Sequence, residues 1–303
     1  METRSNESPK LSPLRAWLSA TRPRTLTAGI SPVLLGCAIA WHDAVFIWIP
    51  ALLCILVAVF AQIASNFAND YFDYKKGADG SQRLGPERAV AQGWIRPQAM
   101  LYATFFTLGL ACLAGCGLIY FGGGHLLFIG IAIALAVLAY STGPYPLSYH
   151  GWGDLCVFIF YGIIPVCYTY YVQAGRHSLL ALLLSFSLGL LAINILMVNN
   201  YRDYEEDKRS GKRTTVVRFG KGFARFAYLF NDIAAIIITL PLLLNENTHK
   251  LFLVGFALFC GGFYVAWIKM GEWEGKQLNK LLGITAMLVF IYALLTSFLV
   301  ISL

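Results

Sequence analysis

Charge is scarce in this chain. Of its 303 residues, 13% are charged and 58% are hydrophobic, and the mean hydropathy is +0.63. A soluble globular domain carries about 25% charged residues. That class is excluded, and an integral membrane protein is expected. Paired cysteines are also lacking. The seven cysteines (Cys37, Cys54, Cys112, Cys116, Cys156, Cys167 and Cys260) all fall in apolar segments with no metal-ligand spacing, so they read as packing residues. The five histidines are scattered near the ends of apolar segments and form no cluster. No Ser-His-Asp or Cys-His arrangement is present, and no short-period repeat or low-complexity tract. Met1 to Arg24 is polar and basic, with no apolar core or small-residue cleavage site, so no cleavable signal peptide is expected.

The chain does have long apolar runs. Segments of roughly 17 to 25 apolar residues can cross a bilayer as helices. Nine are expected, near 25–42, 46–69, 98–121, 124–142, 153–173, 178–200, 224–244, 250–269 and 281–302. The fold class is therefore an all-α polytopic membrane protein: a cytoplasmic arm over 1–22, then one transmembrane domain over 23–303. Basic residues set the orientation. Arg4, Lys10, Arg15, Arg22 and Arg24 precede span 1. Lys75, Lys76, Arg83, Arg88 and Arg96 follow span 2. Arg202, Lys208, Arg209, Lys212, Arg213, Arg218, Lys221 and Arg225 follow span 6, and Lys269, Lys276 and Lys280 surround the last connection. Only Arg176 and Lys250 remain for the other face. The positive-inside rule then puts the N-terminus and all four basic segments in the cytoplasm. The net charge of +7 needs no nucleic-acid partner, because the excess sits beside lipid headgroups.

Two acidic clusters stand where spans 2 and 6 run into basic loops. The first is Asn66-Phe-Ala-Asn69-Asp70-Tyr-Phe-Asp73, and the second is Asn199-Asn200-Tyr-Arg-Asp203-Tyr-Glu-Glu206-Asp207. Carboxylates at a membrane edge are expensive and mark function. At 100° per residue, Asn66, Asn69, Asp70 and Asp73 share one face of a helix. So do Asn199, Asp203 and Asp207, successive i, i+4 neighbours. Each helix can aim several oxygens at one point. Mg²⁺ takes octahedral oxygen ligands, usually one or two carboxylates with substrate phosphate and water. The pair of clusters therefore points to a divalent-metal site holding a pyrophosphate. The alternative for any single acid is simple neutralisation of nearby Lys and Arg.

A metal-bound pyrophosphate with an allylic partner can ionise at its C–O bond, because the metal stabilises the leaving group. The connection between spans 4 and 5, Tyr140-Ser-Thr-Gly-Pro-Tyr145-Pro-Leu-Ser-Tyr149, is rich in aromatic rings. Ring faces stabilise cations, while tyrosines also anchor membrane interfaces. Both readings of Tyr140 and Tyr145 stay open. Lys75, Lys76, Arg83, Arg88 and Arg213 lie in the loops after the clusters, and Arg22 precedes span 1. Each is a phosphate contact or a positive-inside residue. Asp154 starts span 5, either as a helix-dipole partner or as a functional acid. Asp232, in span 7, reads as interfacial.

These residues resemble the UbiA superfamily of intramembrane prenyltransferases. Its first motif reads NDxxDxxxD, and Asn69-Asp70-Tyr-Phe-Asp73 matches the first part. Gly77 stands at the fourth position, with Asp79 two residues later as a candidate substitute. Asp203-Tyr-Glu-Glu-Asp207-Lys-Arg-Ser-Gly211-Lys-Arg213-Thr214-Thr215 matches the second motif. Nine helices with both clusters cytoplasmic also fit. Arg22-Pro-Arg-Thr-Leu26, Asn66 to Asp79, Leu84-Gly-Pro-Glu-Arg88 and Asn199 to Gly220 are similar to the branch acting on 1,4-dihydroxy-2-naphthoate.

That resemblance implies Mg²⁺-dependent transfer of a long isoprenoid from a polyprenyl diphosphate to dihydroxynaphthoate, with loss of carbon dioxide, giving demethylmenaquinone at a bacterial inner membrane. By carry-over, Asn69, Asp73, Asp203 and Asp207, with Asp79, are metal-site candidates, and Asp70 belongs to the catalytic set. Arg88 and Arg213 match basic positions facing the diphosphate. Related readings are a UbiA-type transferase acting on 4-hydroxybenzoate, homogentisate or haem. A secondary transporter is a different class, but transporters place their binding acids near the bilayer midplane, and here the acids lie at span ends.

Overall fold

The computed structural model describes residues 11–77 and 83–303, and among these residues it contains helices and no strand. In chain order the helices are α1 (Pro13–Thr21), α2 (Pro23–His42), α3 (Trp48–Lys75), α4 (Pro97–Gly122) and α5 (Leu126–Ala139). They continue with α6 (Gly153–Phe158), α7 (Ile164–Ala174), α8 (Leu179–Arg202), α9 (Tyr204–Arg209), α10 (Thr215–Leu243), α11 (Leu251–Glu272) and α12 (Leu278–Ser302). Eight segments are long and apolar enough to cross a membrane, α6 and α7 together forming one of them. This is a multi-pass membrane protein.

The remaining apolar helix, α5, differs from expectation. A span was expected over 124–142, and the helix has 14 residues. At 1.5 Å per residue it is about 21 Å long, short of the roughly 30 Å hydrocarbon core. Its start follows Gly123 and Gly124, and the chain turns at Gly143 (φ 96°) and Pro144 beyond its end.

Helix α3 has 28 residues. It extends beyond the apolar run that nucleates it and carries the first acidic cluster with it. Helix α3 packs on α4, α8 on α10, and α2 against α3, α7 and α12. The main core joins Leu35 and Ile39 of α2 to Leu188 and Leu191 of α8, Tyr228 of α10, and Tyr292 of α12. Large apolar side chains such as Phe106, Phe230 and Leu258 point outward, as a lipid-facing surface requires.

Helix α1 belongs to the folded body. Its Ala16 and Ala20 pack with Phe67 and Met100 and with Ala89 and Val90 of the loop after α3. Between α1 and α2, Arg22 holds a left-handed backbone (φ 51°) that a non-glycine residue adopts only at a cost.

Two backbone irregularities shape the interior. Ile159–Ile163 forms a π turn between α6 and α7. Pro165 follows and has no N–H to continue the α-helical ladder past Tyr161. There Gly162 lies against Gly189 of α8 so closely that a Cβ on Gly162 would come within 2.6 Å of the Gly189 Cα. The second irregularity is Gly220 (φ 87°), which breaks α10 after its first turn. The kink separates Thr215–Phe219 from the rest of the apolar helix, where a span was expected over 224–244.

Candidate active site

The first acidic cluster divides between two environments. Asn66, Asn69 and Asp73 line a cavity of about 410 Å³. Asn66 donates through Nδ2 to the Thr21 carbonyl at 2.9 Å and to Thr25 Oγ1 at 3.3 Å, and accepts from Gln62 at 3.3 Å. Gln62 in turn accepts the hydroxyl of Tyr161. Asp73 is buried and surrounded by donors: Arg88 Nη2 at 3.0 Å, Tyr149 Oη at 3.3 Å and Lys212 Nζ at 3.9 Å.

Asp70 lies outside the cavity wall. Its carboxylate accepts from the backbone N–H groups of Ala89 at 3.0 Å and Val90 at 3.1 Å. The face expected to hold four oxygens thus splits, with Asp70 fixing the loop that aims Arg88 at Asp73. Gly77, where the family motif has its fourth acid, ends α3 in the left-handed region (φ 66°). Asp79 lies outside the described residues.

The second cluster straddles a helix break. Asp203 caps the end of α8, and its carbonyl accepts the Asp207 N–H at 2.7 Å, so the i, i+4 spacing survives into α9. Arg202 grips Asp203 with Nε at 2.7 Å and Nη2 at 2.6 Å. The same guanidinium donates to Asn199 Oδ1 at 2.8 Å and to Asn279 Oδ1 of α12 at 2.7 Å. Asn279 then donates to the Leu84 carbonyl at 2.8 Å. A Cβ on Gly85 would come within 2.8 Å of Arg202 Nη2, so glycine lets the loop rest on that arginine. Burial pushes the Asp207 carboxyl up to about 7, against the pull of Lys212 and with the help of Asp203.

Lys212 joins the clusters. Its Nζ lies 3.8 Å from Asp207 Oδ1 and 3.9 Å from Asp73 Oδ2. Gly211 (φ 76°) turns the chain back, and Lys212 N–H donates to the Asp207 carbonyl at 2.9 Å. Arg213, the expected diphosphate contact, has an exposed side chain, and its backbone N–H donates to the Tyr149 carbonyl at 2.8 Å. Lys75 is exposed beyond the cavity, and Tyr145 is exposed and stacked on His150 at 3.6 Å. Tyr149 is the ring in place, with Lys76 over it at 4.3 Å and Lys212 at 4.9 Å. Arg22, Arg83, Arg88, Tyr140, Asn199, Asp203 and Asp207 all line the cavity. Sequence reasoning missed Arg202, Asn279 and Tyr149 as site residues, and chose Arg213 over its neighbour Lys212.

Among the described residues, no three His, Cys, Asp or Glu side chains converge as a ready metal cluster. The acids instead rest on the chain's own cations: Asp73 on Arg88, Asp203 on Arg202, and Asp73 with Asp207 on Lys212. This donor set of carboxylate and amide oxygens suits Mg²⁺, and Lys212 already places a positive charge between the two helices. Away from the acids the cavity becomes apolar. Its wall there includes Val33, Leu118, Ile129, Ile133 and Val172. The space can take a molecule charged at one end and greasy at the other.

Comparison with known proteins agrees with this architecture. Residues 29–300 match the model of the UbiA prenyltransferase family. The chain is 38% identical over 225 residues to 1,4-dihydroxy-2-naphthoate octaprenyltransferase of Escherichia coli, covering 71% of this chain and 72% of that protein. It is 37% identical over 229 residues to the protein of that name in Mycobacterium tuberculosis, covering 75% and 78%. Among solved structures, a UbiA homolog from Archaeoglobus fulgidus bound to DMAPP and Mg²⁺ superposes with a TM-score of 0.64. It is 18% identical and covers 95% of this chain and 99% of that one. The apo UbiA homolog from Aeropyrum pernix also gives 0.64, at 15% identity over 86% and 94%.

Proposed function

This chain belongs to the UbiA prenyltransferase family, and its activity is prenyl transfer to an aromatic acceptor; we propose that the acceptor is 1,4-dihydroxy-2-naphthoate and the donor a polyprenyl diphosphate, with carbon dioxide and diphosphate released. One observation carries this reading. Two acidic helix ends face one cavity, bridged by Lys212, and that cavity runs into an apolar wall. The names of the relatives at 37–38% identity support the choice of acceptor.

Asn69, Asp73, Asp203 and Asp207 would hold Mg²⁺. Bound there, the metal would neutralise the diphosphate and stabilise it as a leaving group. Arg88 and Lys212 supply fixed positive charge on the same side of the cavity, with Arg22 and Arg83 also in the wall. Arg202 holds Asp203 in place, and Asn66 ties the end of α3 to the α1–α2 junction. The rings of Tyr140, Phe160 and Tyr161 line the cavity, where aromatic faces would shield a bound allylic cation from water. The acceptor ring is electron-rich, so no protein nucleophile is required.

One transmembrane domain covers 23–303 under this proposal, with α1 of the preceding segment packed onto it. In this reading the N-terminus and the active site face the cytoplasm at a bacterial inner membrane, which the distribution of Lys and Arg supports. The decisive experiment incubates purified protein with Mg²⁺, a polyprenyl diphosphate and dihydroxynaphthoate. The expected product has the mass of a prenylated naphthalenediol that has lost the carboxylate. Prenylation of 4-hydroxybenzoate or homogentisate instead would reject this acceptor.

A further inference from the structure

One acid in the cavity has a buried carboxylate oxygen with no hydrogen-bond partner among the described residues. Asp73, Asp203 and Asp207 each rest on a lysine or arginine. Asp154 has no ion-pair partner among the described residues. It sits in the first turn of α6 and lines the same cavity as the acidic clusters. Its Oδ2 accepts from Thr215 Oγ1 at 2.5 Å. Its Oδ1 is buried and has no hydrogen-bond partner among the described residues.

Leaving a buried carboxylate oxygen unsatisfied is costly, and such a group calls for an explanation. The neighbourhood supplies one. Gly153 has no side chain, and the Tyr140 hydroxyl lies 3.5 Å from the point a Cβ there would occupy. A tyrosine ring thus packs against the residue that precedes Asp154, and Tyr140, Tyr161 and Gln62 line the same cavity as Asp154. An aromatic molecule stacked among these side chains would bring a ring hydroxyl to the unmatched oxygen. Thr215 fixes which oxygen is offered.

We propose that Asp154 is a catalytic base that takes the acceptor's hydroxyl proton through Oδ1 as the ring attacks the allylic carbon. This rests on the prenyl-transfer reading above. The C–O bond to the diphosphate breaks, and its electron pair leaves with the diphosphate. The hydroxyl proton beside the carboxylate-bearing carbon passes to Asp154, and the released ring pair forms the new C–C bond at that carbon. The product of this step is a β-keto carboxylate. It loses carbon dioxide, and the pair from the broken bond returns through the ring to oxygen. That enolate recovers the proton from Asp154, which is restored as a carboxylate.

The test uses the full-length protein in detergent, with Mg²⁺, a polyprenyl diphosphate and two acceptors. One is dihydroxynaphthoate, and the other is a ring-fluorinated analogue with a more acidic hydroxyl. Wild-type protein that transfers to neither acceptor rejects the function, and the role of Asp154 falls with it. With active wild type, Asp154→Asn keeps the Thr215 hydrogen bond. It is expected to lower kcat about 10²- to 10⁴-fold, the usual range for a positioned base, with the KM for donor within twofold. The deficit should shrink at least tenfold with the fluorinated acceptor, which needs less help to lose its proton. A merely structural role would lower both acceptors equally, and that result overturns the proposal. So does near-wild-type kcat with the native acceptor. If Asp154→Asn does not fold, Asp154→Glu carries the test. It should lose three- to thirtyfold in kcat at unchanged donor KM, and full activity in it overturns the proposal.

Discussion

Lys212 Nζ lies 3.9 Å from Asp73 Oδ2, although Asp73 stands near the end of α3 and Lys212 in the loop between α9 and α10. The same ammonium reaches Asp207 at 3.8 Å. Removing either acid should therefore disturb one shared charge centre. Asp73→Ala and Asp207→Ala are each expected to lower turnover by more than about a hundredfold, or over roughly 2.7 kcal/mol of barrier. Their unfolding temperatures in detergent should stay near that of wild type. Near-normal rates in either variant at saturating Mg²⁺ would separate the two clusters.

The buried Asp207 carboxyl makes metal-free stability depend on pH. Its folded value is about 7, above the ordinary carboxylate value. A raised carboxyl value means the fold favours the protonated form. As pH rises from about 4 to about 7, the unfolded chain ionises freely while the folded chain resists, and stability falls. Melting curves in EDTA should show this decline across that window, and Asp207→Asn should remove most of the slope. A metal-free melting temperature that is flat or rising from pH 4 to 7 would contradict it.

How far did the sequence lead to this arrangement? The apolar runs located the long helices, and the Asn/Asp spacing located both metal-site candidates. The split within the first cluster was hidden, because Asp70 lies only 40° around the helix from Asn66 and the loop amides it captures are far along the chain. Lys212 and Arg213 are adjacent in sequence, and the turn at Gly211 decides which of them faces the acids. Arg202 looked like a flanking positive charge, and its partner Asn279 comes from the last helix. The short α5 was also illegible, since the expected span took in Gly124, His125, Ser141 and Thr142 on either side of a 14-residue apolar helix.

Ionisation of the donor is expected to generate the electrophile before the ring captures it. A fluorine next to the allylic carbon would destabilise that cation and should slow single-turnover transfer by more than about a hundredfold. Donor binding should be nearly unchanged, because the charged contacts are to the diphosphate. Tyr140→Phe should slow the reaction modestly if the ring alone faces the cation, and severely if the hydroxyl orients the acceptor. Equal rates for fluorinated and native donors, with chemistry limiting, would require direct displacement.

The orientation can be tested through its loops. In a cysteine-free background, single cysteines at Lys75 and Lys212 should resist an impermeant thiol reagent applied to intact cells. They should react once the inner membrane is opened. Labelling from outside would invert the topology. Cysteine at Arg176, on the other face of the bundle, should react in intact cells with a permeable outer envelope.

The length of α3 has a kinetic consequence. Its 28 residues make a rod of about 42 Å, longer than the roughly 30 Å hydrocarbon layer, with Asp73 near one end. A lipid diphosphate can then present its headgroup to the acids while its tail stays dissolved in the bilayer. Enzyme and donor meet by lateral diffusion in a film two molecules thick. The rate should follow the donor's mole fraction among the lipids. Diluting the donor with inert phospholipid at constant bulk concentration should slow the enzyme as effectively as withholding substrate.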